Sequence, residues 1–359
     1  MLHEFHHGLN ARFGELNGAE IVNDYGDWLG EYKALRETVG VIDLSFRSRI
    51  CLIGADRARF LHGQVTNDVK KLRAGEGCYA AITTAKGKME SDLNIFALSD
   101  ELFLDFEPGL TEKISLRLEK FIVADDVQIV DAAPHYCLLS VQGPKAQEAV
   151  RALNLFSEIP KQQLGSMKIS DTTLGEIYLA NNPRLGTNGF DLFAPNNSLG
   201  AVADKLIAAS KQIGGRAVGW TAFETARIEA AIPRFGADMD ETNIPLECGI
   251  ESRAIVYNKG CYIGQEVINR IHSVGHVTRE LRALRLAANL ESLPKKGDKL
   301  FHAGKEVGCV TSAVKSPALN ASIALGYVRR EANQIGNDLT LRTATGESPA
   351  KIVELPFVK

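Results

Sequence analysis

Two kinds of hydrophobic periodicity alternate along most of the chain. Apolar residues spaced three and four positions apart predict amphipathic helices, which span residues 24–38, 110–121, 146–153 and 199–213. Runs rich in β-branched and aromatic residues predict strands, which span residues 39–45, 49–54, 78–84, 92–98, 101–106, 136–141 and 185–193. Strands followed by a helix in this order indicate an α+β fold.

The pattern changes near the end of the chain. From about residue 280, short alternating stretches are separated by glycine, proline and asparagine, which is typical of a small β-barrel. These stretches are residues 282–286, 306–311, 323–328 and 338–342. We therefore predict an α+β region over residues 1–275, with a second subdomain roughly over 50–135, and a barrel domain over residues 280–359.

Composition and charge narrow the class of protein. The chain has 359 residues, more than one ordinary hydrophobic core supports. It is 45% hydrophobic and 24% charged, the balance of a soluble globular protein. The net charge of -3 includes no block of like charges, which argues against extended nucleic-acid binding. No run has the length of a signal peptide or a membrane span, so we expect a cytoplasmic protein.

Cysteine and histidine positions bear on redox state and metal binding. The six cysteines have no paired spacing, which predicts reduced thiols in a cytoplasm-like compartment. No C-x-x-C or H-E-x-x-H motif occurs, and we expect no bound metal. His3, His6 and His7 could together bind a metal, but a solvated terminus is the simpler interpretation.

The most distinctive stretch is Lys-Gly-Cys-Tyr-Ile-Gly-Gln-Glu at residues 259–266. Its glycines allow backbone angles that are closed to other residues. Apolar positions after Gly264 predict a short helix, on which Glu266 and Arg270 are spaced to pair. Such spacing favours a tight turn that leads directly into an amphipathic helix.

Cys261 lies in the middle of this stretch. The positive end of the helix and the nearby Lys259 both favour its thiolate form. Two interpretations stay open: a reactive or metal-binding thiol, and a buried, inert cysteine in a glycine-rich turn. An iron–sulfur cluster usually needs four protein ligands, and only Cys248 is near Cys261 in sequence, so Cys261 lacks the further cysteines that a bound cluster requires. As a nucleophile it needs a base; His272 and His276 are nearest, although capping or solvation explains both more simply.

Residues 259–266 resemble the signature of the YgfZ family, folate-binding proteins implicated in iron–sulfur enzyme maturation. A well-known relative of that family is the aminomethyltransferase (T-protein) of the glycine cleavage system. Other stretches similar to T-protein-like folate domains are residues 40–43, 65–68, 227–229 and 233–247. The resemblance implies a T-protein-like fold of two interleaved α+β subdomains and a C-terminal β-barrel around a central ligand cavity. It also implies tetrahydrofolate or a derivative as cofactor.

The resemblance further implies candidate folate-binding residues. Asp92 aligns with the second member of an Asp-Asp pair that T-proteins carry beside the reactive folate nitrogens, and the first member becomes Ser91. This missing carboxylate argues against aminomethyl transfer. Asp92 could orient a ligand or cap a turn. Arg227 could contact the ligand or form a buried ion pair with Glu229 or Glu247, and Glu247 could also line the cavity.

Two main hypotheses about function follow. In the first, the chain is a folate-binding accessory protein without required turnover, which presents Cys261 at the rim of the cavity. Lys259, Gln265, Glu266 and Arg270 surround this thiol, and the partners are iron–sulfur assembly proteins or client enzymes, including radical enzymes that modify tRNA. In the second, the chain is a tetrahydrofolate-dependent one-carbon transferase of the aminomethyl type. The cysteine motif and Ser91 favour the first hypothesis; a third is an interaction module with a vestigial cavity.

Overall fold

The computed structural model describes residues 3–358, so the first two positions of the predicted 1–275 region and the last position of the barrel region lie outside the described residues. The helices are α1 (His3–Gly8), α2 (Trp28–Glu37), α3 (Arg57–His62), α4 (Thr111–Glu119), α5 (Ala146–Ala152), α6 (Leu199–Gln212), α7 (Trp220–Glu229), α8 (Glu251–Ala254) and α9 (Gln265–Val274). No helix among residues 3–358 is long and apolar enough to cross a membrane.

The strands alternate with these helices up to α9 and then follow one another. They are β1 (Arg12–Leu16), β2 (Ala19–Asp24), β3 (Gly40–Asp43), β4 (Ser48–Ile53), β5 (Gly77–Thr83), β6 (Met89–Ala97), β7 (Glu101–Phe106), β8 (Gln128–Asp131), β9 (Tyr136–Gln142), β10 (Ser166–Asp171), β11 (Gly175–Asn181), β12 (Gly189–Pro195), β13 (Arg216–Ala217), β14 (Arg279–Leu286), β15 (Lys299–His302), β16 (Lys305–Ser316), β17 (Ala321–Arg329), β18 (Asp338–Thr343) and β19 (Gly346–Val353). This succession confirms the predicted α+β class with a terminal barrel.

The chain divides into two compact units, of which the first comprises Met1–Ile82, Asp92–Glu224 and Asn258–Tyr262. One of its sheets has six strands in the order β10-β11-β12-β9-β3-β13, and the other has five in the order β5-β6-β7-β4-β8. Strand β3 precedes the five-stranded sheet in sequence, whereas β9 to β13 follow it. The two sheets are therefore interleaved along the chain, as the resemblance implied.

Each sheet of the first unit has its own hydrophobic core. Helices α5 and α6 contribute Val150 and Leu206 to the core of the six-stranded sheet. Helix α4 contributes Ile114 and Leu118 to the core of the five-stranded sheet. Burial of one such side chain stabilises the folded state by about 1.5–3 kcal/mol, so these helix faces hold the sheets in place.

The second unit comprises Thr83–Ser91, Thr225–Tyr257 and Ile263–Lys359. Its strands close into a barrel in the order β14-β17-β16-β15-β18-β19. Alternate residues of these strands, such as Leu284 and Val310, point into the barrel core. The unit also includes segments that precede the barrel in sequence, so it extends beyond the predicted 280–359 domain.

The N-terminal histidines are not all solvated, contrary to the sequence-based expectation. His6 is buried, with Nε2 2.8 Å from Oδ2 of Asp43 and Nδ1 2.9 Å from the hydroxyl of Tyr25. Burial of an imidazole requires partners for its nitrogens, and Asp43 and Tyr25 provide them. Helix α1 is thereby fastened to Tyr25 and to the end of β3 within the first unit.

Candidate functional site

Gly264 begins helix α9 in the left-handed region, with a φ of 90°. A Cβ atom at this position would lie 2.5 Å from Oγ1 of Thr83 and 2.6 Å from the carbonyl oxygen of Thr84. The Thr83 hydroxyl also donates a hydrogen bond of 2.7 Å to the carbonyl of Ile263. Both the backbone angle and the close approach therefore require glycine here.

Lys259 fastens the loop to the segment that follows α3. Its Nζ donates hydrogen bonds of 2.7 Å to the carbonyl oxygens of His62, Val65 and Asn67. An ammonium group has three N–H donors, so these acceptors satisfy all of them. Burial lowers the pKa of Lys259 to about 8, which leaves the amine mostly protonated at neutral pH. The sequence-based expectation was that the positive charge of Lys259 acts on Cys261. In the structure, this ammonium group is hydrogen-bonded to three carbonyl oxygens.

Cys261 is exposed, unlike the other five cysteines, all of which lie in the described part of the chain. The interpretation of Cys261 as a buried residue is therefore wrong, whereas its reactivity stays a prediction. Cys261 lies in the loop, three positions before Gly264, rather than in the first turn of α9. Gly260 packs closely against His62, since a Cβ atom there would lie 3.0 Å from Nε2. The loop is thus closely packed around an accessible thiol, whose role stays a prediction.

The remaining predicted residues of this loop lie on α9. Gln265 is half-buried, whereas Glu266 and Arg270 are exposed. Among residues 3–358, neither Glu266 nor Arg270 makes an ion pair, so the expected pairing of these two residues is wrong. An exposed pair at this spacing contributes only about 0.2–0.5 kcal/mol, too little to hold two long side chains together.

His272, the nearest candidate base in sequence, has other partners. Its Nδ1 lies 2.8 Å from Oε1 of Glu251. Its ring stacks on Tyr257, with 3.8 Å between the ring centroids. These contacts fasten the end of α9 to the segment that begins with α8, which supports a structural role for His272.

Asp92 lies inside strand β6, so the interpretation as a turn-capping residue is wrong. The hydroxyl of Tyr79 donates a hydrogen bond of 2.7 Å to Oδ2 of Asp92. Burial, and secondly the charge of Glu107, raise the pKa of Asp92 to about 6. Ser91 is fully buried, and its side chain points to the face opposite that of Asp92, because successive side chains of a strand alternate. Asp92 is half-buried and is therefore the more accessible of the two positions.

A buried network of charges lies in the same unit and was not predicted. Arg47 contacts Asp105 at 2.7 Å and Glu107 at 2.6 Å. Arg184 contacts both Asp105 and Asp191 at 2.7 Å. Burial alone would raise the pKa of Asp105, but the two guanidinium groups outweigh it and hold this pKa well below its ordinary value. The network fixes Glu107, whose charge acts on the candidate carboxylate.

Arg227 is buried and forms its ion pair with Asp238, a partner that the sequence did not indicate. Its Nη2 also donates a hydrogen bond of 2.9 Å to Oγ of Ser312. Asp238 lies in the turn after α7, and the pairing with Glu229 or Glu247 stays a prediction. These contacts connect α7 with β16, which indicates a structural role for Arg227.

Glu247 lines a polar cavity within the second unit. Its Oε2 accepts a hydrogen bond of 3.3 Å from the backbone nitrogen of Ile244 and lies 3.4 Å from Nε of Arg279. The cavity has a volume of about 620 Å³. Its lining side chains carry both charges: Lys88, Arg279, Lys299 and Arg329, and Glu247, Glu306 and Glu331. Glu247 therefore lies beside a polar cavity of the second unit, and its expected position in the ligand cavity stays a prediction.

The interleaved α+β sheets and the six-stranded barrel define a multidomain protein of the T-protein class. Residues 2–259 match the GCVT N-terminal domain family, and residues 279–359 match the glycine cleavage T-protein C-terminal barrel domain. The chain therefore belongs to this family.

Relatives of similar length support the same assignment. The aminomethyltransferase of Halothermothrix orenii is 25% identical, over 99% of this chain and 99% of that protein. The aminomethyltransferase of Thermosipho melanesiensis is 28% identical, over 100% of this chain and 96% of that protein. The crystal structure of glycine cleavage system aminomethyltransferase T from Bartonella henselae has a TM-score of 0.87, with 22% identity over 99% of this chain and 97% of that chain, and shows the same fold.

Proposed function

We propose that this protein is a tetrahydrofolate-dependent one-carbon transferase of the aminomethyl type. The observation that carries the proposal is Asp92, a half-buried carboxyl group whose pKa is raised to about 6. Relatives named aminomethyltransferase match the chain over almost its whole length and support the same conclusion. The proposal therefore favours the second sequence-based hypothesis over the first.

The main sequence argument against transfer was the loss of a carboxylate at Ser91. Ser91 is fully buried, so this position does not face solvent. Asp92 lies on the opposite, more accessible face of the strand. Serine at position 91 therefore leaves the accessible carboxylate of Asp92 in place. Its presence is only weak evidence that the transfer reaction has been lost.

The chemistry of Asp92 suits the N–H groups of a reduced pterin. A carboxylate accepts hydrogen bonds from such donors, and Tyr79 holds this one in position. A pKa of about 6 keeps much of the group ionised near neutral pH, while a proton can still be exchanged. Tetrahydrofolate, when bound, supplies the nitrogens that take up the one-carbon unit. Glu247 stays a candidate residue beside the polar cavity of its own unit, and Arg227 already has a structural partner in Asp238.

The test is calorimetric titration of the full chain with tetrahydrofolate, followed by an assay of turnover. The wild-type protein is expected to bind saturably, and Asp92→Asn to bind at least about tenfold more weakly, equivalent to about 1.4 kcal/mol. Asp204→Asn changes an exposed aspartate on α6 and serves as the matched control. Turnover is measured as formation of methylene-tetrahydrofolate from an aminomethyl donor. Saturable binding without turnover would reject the transferase, and absence of binding would reject any folate-dependent function.

The exposure of Cys261 favours a second candidate function. In this proposal, the chain is a YgfZ-like cytoplasmic accessory protein that supports iron–sulfur enzymes through this thiol. Lys259 would then hold the loop so that the thiol faces a partner. Complementation of a deletion strain with Cys261→Ala tests it, and Cys309→Ala, at a half-buried cysteine, is the control. Full recovery of iron–sulfur enzyme activity by Cys261→Ala would reject this candidate.

A further inference from the structure

The first unit contains a second, mainly apolar cavity that does not include Asp92. Its volume is about 300 Å³, at the lower end of the range for small-molecule sites. Strands of both sheets supply its walls. The lining residues that matter here are Phe96, Phe103, Phe193, Tyr136, Tyr178 and Val130.

Aromatic contacts keep these walls in fixed positions. The rings of Phe103 and Phe193 meet edge to face, with 4.8 Å between centroids, and Tyr136 and Tyr178 do so at 5.7 Å. Such pairs add stability beyond their buried area, so the side chains cannot readily close over the space. An apolar cavity with rigid walls excludes water and favours an apolar occupant.

The cavity continues into a more polar outer part of about 270 Å³. Both parts share Leu98, Glu101, Ser166 and Tyr178 as lining residues. The Oγ atom of Ser166 is buried and has no hydrogen-bond partner among the described residues. A buried hydroxyl without a partner is costly, so this position suits a polar group of a ligand.

The outer part carries negative charge. Asp100 and Glu101 both line it, and neither makes an ion pair among residues 3–358. Lys168 also lines it, but its Nζ is paired with Glu176 at 2.8 Å. Burial, and secondly the charge of Glu101, raise the pKa of Cys51 in the apolar part. A protonated thiol is a poor nucleophile, so the site is suited to reversible binding.

We propose that this cavity binds a small hydrophobic amine. The apolar body of the ligand lies between the aromatic walls, and its ammonium group lies beside Asp100 and Glu101. Ser166 accepts a hydrogen bond from the same group or a neighbouring donor. The negative charge disfavours an acidic ligand, and the site is independent of the proposed tetrahydrofolate contact at Asp92.

Three probes that share an indole ring test the proposal by calorimetry on the full chain: tryptamine, indole and indole-3-propionate. Tryptamine is expected to bind most tightly and indole-3-propionate most weakly, with at least about a tenfold difference in Kd between them. Glu101→Gln should reduce that ratio severalfold without loss of indole binding. Equal affinities for the three probes, or no tryptamine binding up to about 1 mM, would overturn the proposal.

A blocking variant tests where the probes bind. Val130 lines the cavity and is 39% exposed, so the larger side chain of Val130→Trp can fill part of the cavity from its exposed side. Val123 is 90% exposed and does not line the cavity, so Val123→Trp is the matched control. Tryptamine binding should be lost only in Val130→Trp, provided that its circular dichroism matches that of the wild type. Unchanged binding in that variant would place the probe elsewhere, and a misfolded Val130→Trp would leave the decision to Glu101→Gln.

Discussion

Replacing Asp92 with asparagine is expected to stabilise the first unit at neutral pH while weakening tetrahydrofolate binding. Asparagine has nearly the same shape as aspartate and still accepts the hydrogen bond from Tyr79, but it carries no charge. The substitution therefore removes the cost of ionising a half-buried carboxyl group. It also removes the charged acceptor that we propose for the pterin.

The magnitude and its pH dependence follow from the raised pKa. Asp92 has a pKa of about 6, against an ordinary value of 3.8. A group whose pKa is raised on folding contributes stability below its unfolded pKa, and this contribution is lost as the pH rises through the folded pKa. A shift of about two units corresponds to about 3 kcal/mol. Because Asp92 retains contact with solvent, we expect about 1–2 kcal/mol.

Tryptophan fluorescence is a suitable probe of this effect. The chain has two tryptophans, Trp28 and Trp220, and both lie in the first unit together with Asp92. Urea unfolding followed at this signal therefore reports the unit of interest, even though a chain with several cores does not unfold in one step. The free-energy difference between Asp92→Asn and the wild type should grow in favour of the variant between about pH 4 and about pH 7. Asp204→Asn, at an exposed position, should show no such trend.

Two results would refute the reasoning. A difference between variant and wild type that stays constant over this pH range would mean that the carboxyl group titrates alike in the folded and unfolded chains. A variant that becomes less stable relative to the wild type as the pH rises would mean that the folded state favours the ionised form. Undiminished tetrahydrofolate affinity in Asp92→Asn would separately reject the proposed role in binding.

Three further predictions concern the neighbours of the site and the cysteine loop. Tyr79→Phe removes a hydrogen bond that lowers the pKa of Asp92, so the midpoint of the pH profile of tetrahydrofolate binding should move upward; an unchanged midpoint would contradict this. Gly264→Ala should cost about 2–4 kcal/mol in urea unfolding followed by circular dichroism, whereas Gly249→Ala, with positive φ but open space, should cost about 1 kcal/mol; equal costs would contradict the steric argument. Lys259→Met leaves its carbonyl acceptors without a donor and should cost about 3 kcal/mol or more, with faster modification of the exposed loop cysteine by a thiol reagent. Unchanged stability and modification rate would show that the ammonium does not hold the loop.

Elements with strong periodicity were predicted well from the sequence. The predicted helix over 199–213 corresponds to α6, and the predicted strand over 101–106 coincides with β7. Helix α6 is buried along the predicted apolar face, whereas β7 is buried on both faces, so a continuous apolar run rather than an alternation marks it in the sequence. The alternating stretches after residue 280 likewise belong to the barrel.

Elements with weak periodicity were missed. Strands β1 and β2 form a separate hairpin, and β10 lies at the edge of its sheet. Their side chains are mostly exposed or half-buried, so no apolar alternation marks them in the sequence. The buried network around Asp105 and Asp191 was missed for another reason, since its partners are far apart in sequence. A signal was nevertheless present: both aspartates stand between apolar residues of buried strands, where a charge needs a partner.

The choice between a transferase and an accessory protein depended on the directions of the Ser91 and Asp92 side chains. The sequence alone does not give these directions. In the sequence, Ser91 beside Asp92 looked like the loss of a catalytic carboxylate. In the strand, the two side chains point to opposite faces, and the buried face belongs to Ser91. Two residues of the cysteine motif have structural roles that do not depend on a reactive thiol. Gly264 permits the close backbone approach at the start of α9, and Lys259 holds the loop through its hydrogen bonds. The structure therefore weakens the argument against transfer while leaving Cys261 as a separate, testable feature.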